Sequence, residues 1–113
     1  MSTEKVQAIV RRIVDLISVG EYDSVLKLCS ISRISEKDIS RVMQNYGRTF
    51  VRPPSNFDEY LDLIAIEGSF PPAWSIRAPL WTVEEGRSDL TLELTIANAP
   101  EGMVIELDDL RVP

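Results

Sequence analysis

The groups able to do chemistry in this chain are its carboxylates, three tyrosines, lysines, arginines and a single cysteine, Cys29; histidine is absent. Histidine is the usual general base near neutral pH and the commonest metal ligand. Its absence excludes Ser-His-Asp and Cys-His catalysis and ordinary His/Cys zinc sites. Carboxylate catalysis remains, and it requires an acid in an apolar pocket where desolvation favours the protonated form. Asp62, between Leu61 and Leu63, is the candidate, with Tyr46 or Tyr60 as hydrogen-bond donor. Strand alternation alone would equally make Asp62 an outward-facing residue. Cys29 lies near a helix end and reads as a small core hydrophobe rather than a nucleophile. Glu106, Asp108 and Asp109 lack the glycine-containing spacing of a calcium loop. No cofactor and no metal is implied, no catalytic constellation is recognisable, and no reaction is assigned.

A second group of polar residues, Glu84, Glu85, Gly86, Arg87, Ser88 and Asp89, joins two alternating segments. As a functional loop it would present the Arg87 fork to a carboxylate or phosphate. As a plain hairpin connection it would keep an exposed edge charged. Arg87 and Asp89 are also spaced to form a local ion pair, of small energetic value if exposed. The string is more specific than a turn requires.

The elements that must position these residues fall into two halves. Val6, Ile9, Val10, Ile13, Leu16 and Ile17 recur at helical spacing up to Gly20, which predicts an amphipathic helix of about four turns. A short helix is expected from Asp23 to Cys29, with Asp23 as N-cap and Val25, Leu26 and Leu28 inward. Ser35 and Asp38 have capping-box spacing, flanked by Ile34 and Ile39. Ile39, Val42, Met43 and Tyr46 then form an apolar stripe ending at Gly47. Pro53 and Pro54 mark a linker or sheet edge. A strand is expected from Tyr60, covered on both sides at its end, followed by a turn over 68–72.

The 74–96 segment reads as an antiparallel hairpin with one buried face. Trp74, Ile76, Ala78 and Leu80 share a face in its first arm, and Leu90, Leu92, Leu94 and Ile96 in its second. Pro79 cannot donate to a ladder, so a bulge there is expected to turn Trp81 and Val83 toward the core. A fourth strand follows, burying Met103, Ile105 and Leu107. The order predicts one α+β domain over 1–113, helical over 1–47 and sheet over 48–113. About three helices pack on a curved, mostly antiparallel four-stranded sheet.

At 113 residues the chain has room for one core. A net charge of −6 argues against nucleic acid, whose phosphates demand a Lys/Arg surplus, and suits a basic partner. No apolar run reaches bilayer-spanning length, and Arg11, Arg12 and Asp15 interrupt any secretory-type core. A lone cysteine suits a reducing compartment, so a cytoplasmic location is expected.

The string WTVEEGRSDLTLEL at Trp81–Leu94, with YGRTFVRPP at Tyr46–Pro54, resembles an uncharacterised bacterial domain family across most of the chain. That resemblance implies no activity. In architecture the order of elements resembles the nuclear-transport-factor-like or cystatin-like cone. That cone implies a sheet wrapped around the first helix, with a pocket at its open end. It hosts isomerases, dehydratases, ligand binders, dimerisation modules and toxin-immunity proteins, among which fold analogy does not choose.

Two functions follow as expectations. The first is a non-catalytic protein-interaction or dimerisation domain, immunity-protein-like in one version, using Arg77, Trp81, Glu85, Arg87, Asp89 and Glu93. The alternative is a cone-type enzyme or small-ligand binder with its pocket between the first helix and the sheet.

Overall fold

The computed structural model describes residues 3–113. In chain order the elements are α1 (Glu4–Ser18), α2 (Tyr22–Leu28), β1 (Ile31–Ser32), α3 (Glu36–Tyr46) and β2 (Phe50–Val51). A 3₁₀ turn (Phe57–Tyr60) leads to β3 (Asp62–Ala65), β4 (Ala73–Thr82), β5 (Gly86–Ala99) and β6 (Gly102–Arg111). The fold is α+β, with six strands rather than four. The sheet runs β1-β6-β5-β4-β2, with β3 also on β4, and only β1 pairs in parallel. It is an open sheet, not closed on itself. β1 and β2 are two residues long and too short to carry an alternation signal. β1 also falls inside the segment expected to be purely helical.

The helices form where the apolar stripe and caps agree. Val6, Val10, Ile13, Val14 and Ile17 of α1 are fully buried, each contributing about 1.5–3 kcal/mol of transfer free energy. In α3 the capping box is complete: Asp38 N donates to Ser35 Oγ (3.1 Å) and Ser35 N to Asp38 Oδ2 (2.9 Å). Gly47 ends it at φ +68°, a left-handed conformation that a side chain resists. The short α2 departs from expectation. Glu21 is its N-cap without a side-chain bond, Asp23 lies in the first turn beside Lys27 (3.7 Å), and Leu28 is exposed.

All three helices contribute to a single core with Trp74, Ile76, Ala78, Leu80, Leu90, Leu92, Leu94 and Ile96. This is one face of the β4–β5 hairpin, as its alternation requires. The opposite face carries Ser75, Arg77, Thr91, Glu93 and Thr95, and it is polar. β3 is an edge strand, not the covered strand expected: Ile64 is 64% exposed and Tyr60 belongs to the preceding 3₁₀ turn.

Two irregularities re-aim the strands. Across from Pro79, β5 carries two extra residues: Pro79 pairs with Thr91 but Trp81 with Arg87, so Ser88, Asp89 and Leu90 stand opposite Leu80 alone. The missing proline N–H makes that break in the ladder inexpensive. Trp81 is buried as expected, beneath Phe57 and Tyr60, whereas Val83 lies beyond the ladder and is exposed. In β6, Leu107 pairs with Leu94 and Asp109 with Glu93, so Asp108 is the extra residue. This second bulge changes the phase and turns Leu110 into the core.

Candidate recognition groove

The charged connection after β4 divides into groups that tie the fold together and groups that do not. Glu84 accepts hydrogen bonds from Thr49 N and Thr49 Oγ1, both 2.9 Å. The backbone and side-chain donors of Thr49 hold its carboxyl below the usual range. Glu85 accepts from Tyr46 Oη (2.8 Å) and lies 3.6 Å from Arg48 Nε. Its own N–H donates to Thr82 Oγ1 (3.1 Å). Tyr46 Oη in turn accepts from Asp89 N (3.2 Å). Burial, reinforced by the Glu85 carboxylate, pushes the Tyr46 hydroxyl up from its ordinary value. Both glutamates and Tyr46 therefore clamp the hairpin end to the C-terminus of α3 and to β2. Much of the excess specificity of this string is structural.

Arg87 is different. Among the described residues no carboxylate pairs with it, and the expected ion pair with Asp89 is not formed. Its guanidinium sits 5.6 Å from the Tyr60 ring centroid, a cation–π contact that leaves its fork unused. Tyr60 packs edge-on against Trp81 at 5.2 Å. Trp81 itself is only 9% exposed, so it supports this surface from beneath and does not present itself to a partner.

Arg87, Tyr60, Asp62, Arg77 and Asp89 line one open groove of ≈ 450 Å³, floored by the buried Pro79. It lies on the polar side of the sheet, where Asp62 pairs in register with Arg77. The carboxylates of Asp62 and Asp89 have no hydrogen-bond or ion-pair partner among the described residues. Arg77, by contrast, lies 3.5 Å from Glu93, which also holds Arg111 at 3.3 Å. The structure thus brings together Tyr60, Asp62, Arg77, Arg87 and Asp89, while Tyr46, Glu85 and Glu93 are engaged in the fold. Asp62 is exposed and faces away from α1. The apolar enclosure that a general acid needs is missing.

Sequence reasoning missed a second polar cluster. Arg33, just past β1, lies 3.1 Å from Glu106 and 3.6 Å from the bulged Asp108. Thr95 Oγ1 donates to Asp108 Oδ2 (2.7 Å). Burial, then the neighbouring Glu106, raises the Asp108 carboxyl to about 6, while Glu106 is lowered chiefly by the Asp108 hydrogen bond. Two-residue strand spacing already puts Glu106 and Asp108 on one face; the meeting with Arg33 has no sequence marker. Cys29 is half-buried, and burial pushes its thiol up to about 11, which suits packing rather than nucleophilic attack.

An open six-stranded sheet with helices on one face and a charged groove on the other defines a small α+β domain. The chain belongs to the family described as Domain of unknown function (DUF7668), whose model matches residues 14–113. No curated protein and no solved structure matches it.

Proposed function

We propose that this chain is a non-catalytic protein-interaction domain of the bacterial cytoplasm, and that its recognition surface is the groove around Arg87. One observation carries the reading. The other arginines and glutamates on this side of the sheet neutralise one another, whereas Arg87, Asp62 and Asp89 in the groove do not. Arginine already oriented on an aromatic ring loses little freedom when a carboxylate arrives, a common property of interface hot spots. Flanking acids favour a partner that carries both signs of charge, with a basic excess that complements the net charge of −6. Immunity-type neutralisation of a basic protein fits this surface, whereas a second copy of the chain, itself at −6, lacks that basic excess. A ligand pocket between α1 and the sheet is less favoured, because Val10, Ile13 and Ile17 are fully buried in the core there.

The test is affinity capture from the source bacterium with the wild-type chain, Arg87→Ala and Asp62→Ala, with light scattering for self-association. The captured partner, or the dimer, should be weakened about tenfold or more by Arg87→Ala. Amide signals of Tyr60, Asp62, Arg87 and Asp89 should move on titration with that partner. Equal retention by both variants, or a partner that perturbs only other surfaces, removes this groove as the recognition site.

A further inference from the structure

We propose that a second concavity, between α1 and the segment after β2, binds phosphate groups that retain a proton, as inorganic phosphate or a phosphomonoester. Ala8, Arg11, Arg12, Asp15 and Leu16 recur three and four residues apart and so form one face of α1. Arg52 closes the hollow, whose volume is ≈ 290 Å³. It lies on the helical side of the sheet, away from the groove around Arg87.

Its charge is the reverse of the molecule's. In a chain of net charge −6, three guanidinium groups line one small hollow. Arg11 is fixed in place: its Nη2 donates to the carbonyls of Pro54 (2.7 Å) and Ser55 (3.2 Å), and it lies 5.3 Å from the Phe57 ring centroid. Those contacts are neutral and leave its charge uncompensated. Arg12 and Arg52 have no hydrogen-bond or ion-pair partner among the described residues. Like charges gathered this closely repel unless an anion joins them, and the guanidinium fork matches an oxyanion in geometry.

Asp15 decides which oxyanion. Its Oδ1 is shielded from solvent and has no hydrogen-bond partner, an unfavourable state for a carboxylate oxygen. That oxygen repels a fully deprotonated anion. A turn of the carboxylate about its broad terminal torsion lets it accept a hydrogen bond from an anion that carries its own O–H. Phosphomonoesters, whose second proton leaves near pH 6, keep it on about a quarter of their molecules at pH 6.5, and inorganic phosphate on a larger share, whereas sulfate and phosphodiesters have none to offer. Arginines supply the charge and Asp15 reads the proton.

The experiment is a titration of the ¹⁵N-labelled chain near pH 6.5, at matched ionic strength, with sodium phosphate, phenyl phosphate, dimethyl phosphate and sulfate. Phosphate or phenyl phosphate should give saturable shifts at Arg12, Asp15 and Arg52, about tenfold tighter than sulfate or dimethyl phosphate. Whichever of the first two binds more tightly identifies free phosphate or an organic monoester as the ligand. Arg12→Gln and Arg52→Gln should each weaken binding about tenfold, and circular dichroism establishes that both variants are folded. Asp15→Asn should abolish the preference over sulfate while leaving anion binding in place. An absence of saturable shifts, sulfate binding as tightly as phosphate, or a preference that survives Asp15→Asn overturns the assignment.

Discussion

Replacing Asp108 by asparagine should stabilise the protein at neutral pH. Asp108 is the bulged residue of β6, wedged beside Glu106, and its carboxyl is raised from 3.8 to about 6. A group whose folded value lies above its unfolded value contributes stability that is fully present below about pH 4. That contribution is lost as pH rises through about 6. Above pH 7 the folded protein must hold a charged Asp108 that burial and Glu106 both oppose. A gap of about two pH units corresponds to about 3 kcal/mol at most. The side chain is 26% exposed, and screening by the solvent that reaches it reduces this to about 1–1.5 kcal/mol. In Asp108→Asn the side-chain oxygen still accepts from Thr95 Oγ1, and the new amide can donate to Glu106. Only the loose contact with the exposed Arg33 is lost, and such pairs contribute about 0–1 kcal/mol. Urea unfolding at a series of pH values measures the effect directly. The wild type should lose about 1–1.5 kcal/mol from this site between pH 4 and 7, the variant should lack that decline, and its Tm at pH 7.5 should rise by roughly 4–6 °C. A variant less stable than wild type at pH 7.5, or one with the same slope from pH 4 to 7, would refute the account.

Two further substitutions probe the clamps. Tyr46→Phe removes both the donor to Glu85 and the acceptor for Asp89 N, and should cost about 1–2 kcal/mol in urea unfolding. It should also speed amide exchange at 84–89 relative to the rest of the hairpin. Ser35→Ala removes the side-chain half of the α3 capping box and should cost about 1 kcal/mol. Ser35→Thr should restore most of that loss.

Much of the fold was legible because its longest elements obey simple periods. The α1 stripe, the Ser35–Asp38 cap and the Leu90–Ile96 face each follow from spacing that only one element satisfies. β1 and β2 were not legible, since two residues show no period and their pairing is chosen by distant partners: Ile31 by Glu106, Phe50 by Thr82. β3 misled because Leu61, Leu63, Ile64 and Ile66 look like a covered strand, yet the strand lies at a sheet edge where Ile64 and Ile66 meet solvent. Pro79 announced its bulge through a missing donor. The β6 bulge gave no such signal, and although strand spacing puts Glu106 and Asp108 on one face, their contact with Arg33 from beyond β1 was invisible. The groove was partly legible: Arg77, Arg87 and Asp89 were expected on one surface with Trp81, whereas their meeting with Tyr60 and Asp62 depends on the 3₁₀ turn wrapping β4.

Charged residues in this molecule are better sorted by whether they have a partner than by sign or exposure. Glu84 and Glu85 belong to the charged string whose specificity exceeds that of a turn, and both are consumed in holding the hairpin to α3 and β2. Arg77 and Arg111 are exposed and cationic, yet Glu93 already occupies them. Among the charges left without a partner, two sets share a hollow: Arg87 with Asp62 and Asp89, and Arg12 with Arg52 and Asp15. Leaving such groups unpaired forgoes stabilisation that neighbouring residues of the same types do obtain. In both hollows the unmatched arginines sit beside an unmatched carboxylate without joining it. A ligand able to satisfy either set must therefore offer an anionic oxygen and a hydrogen-bond donor together. That shared requirement ties the two assignments to the same physical argument while leaving their partners chemically distinct.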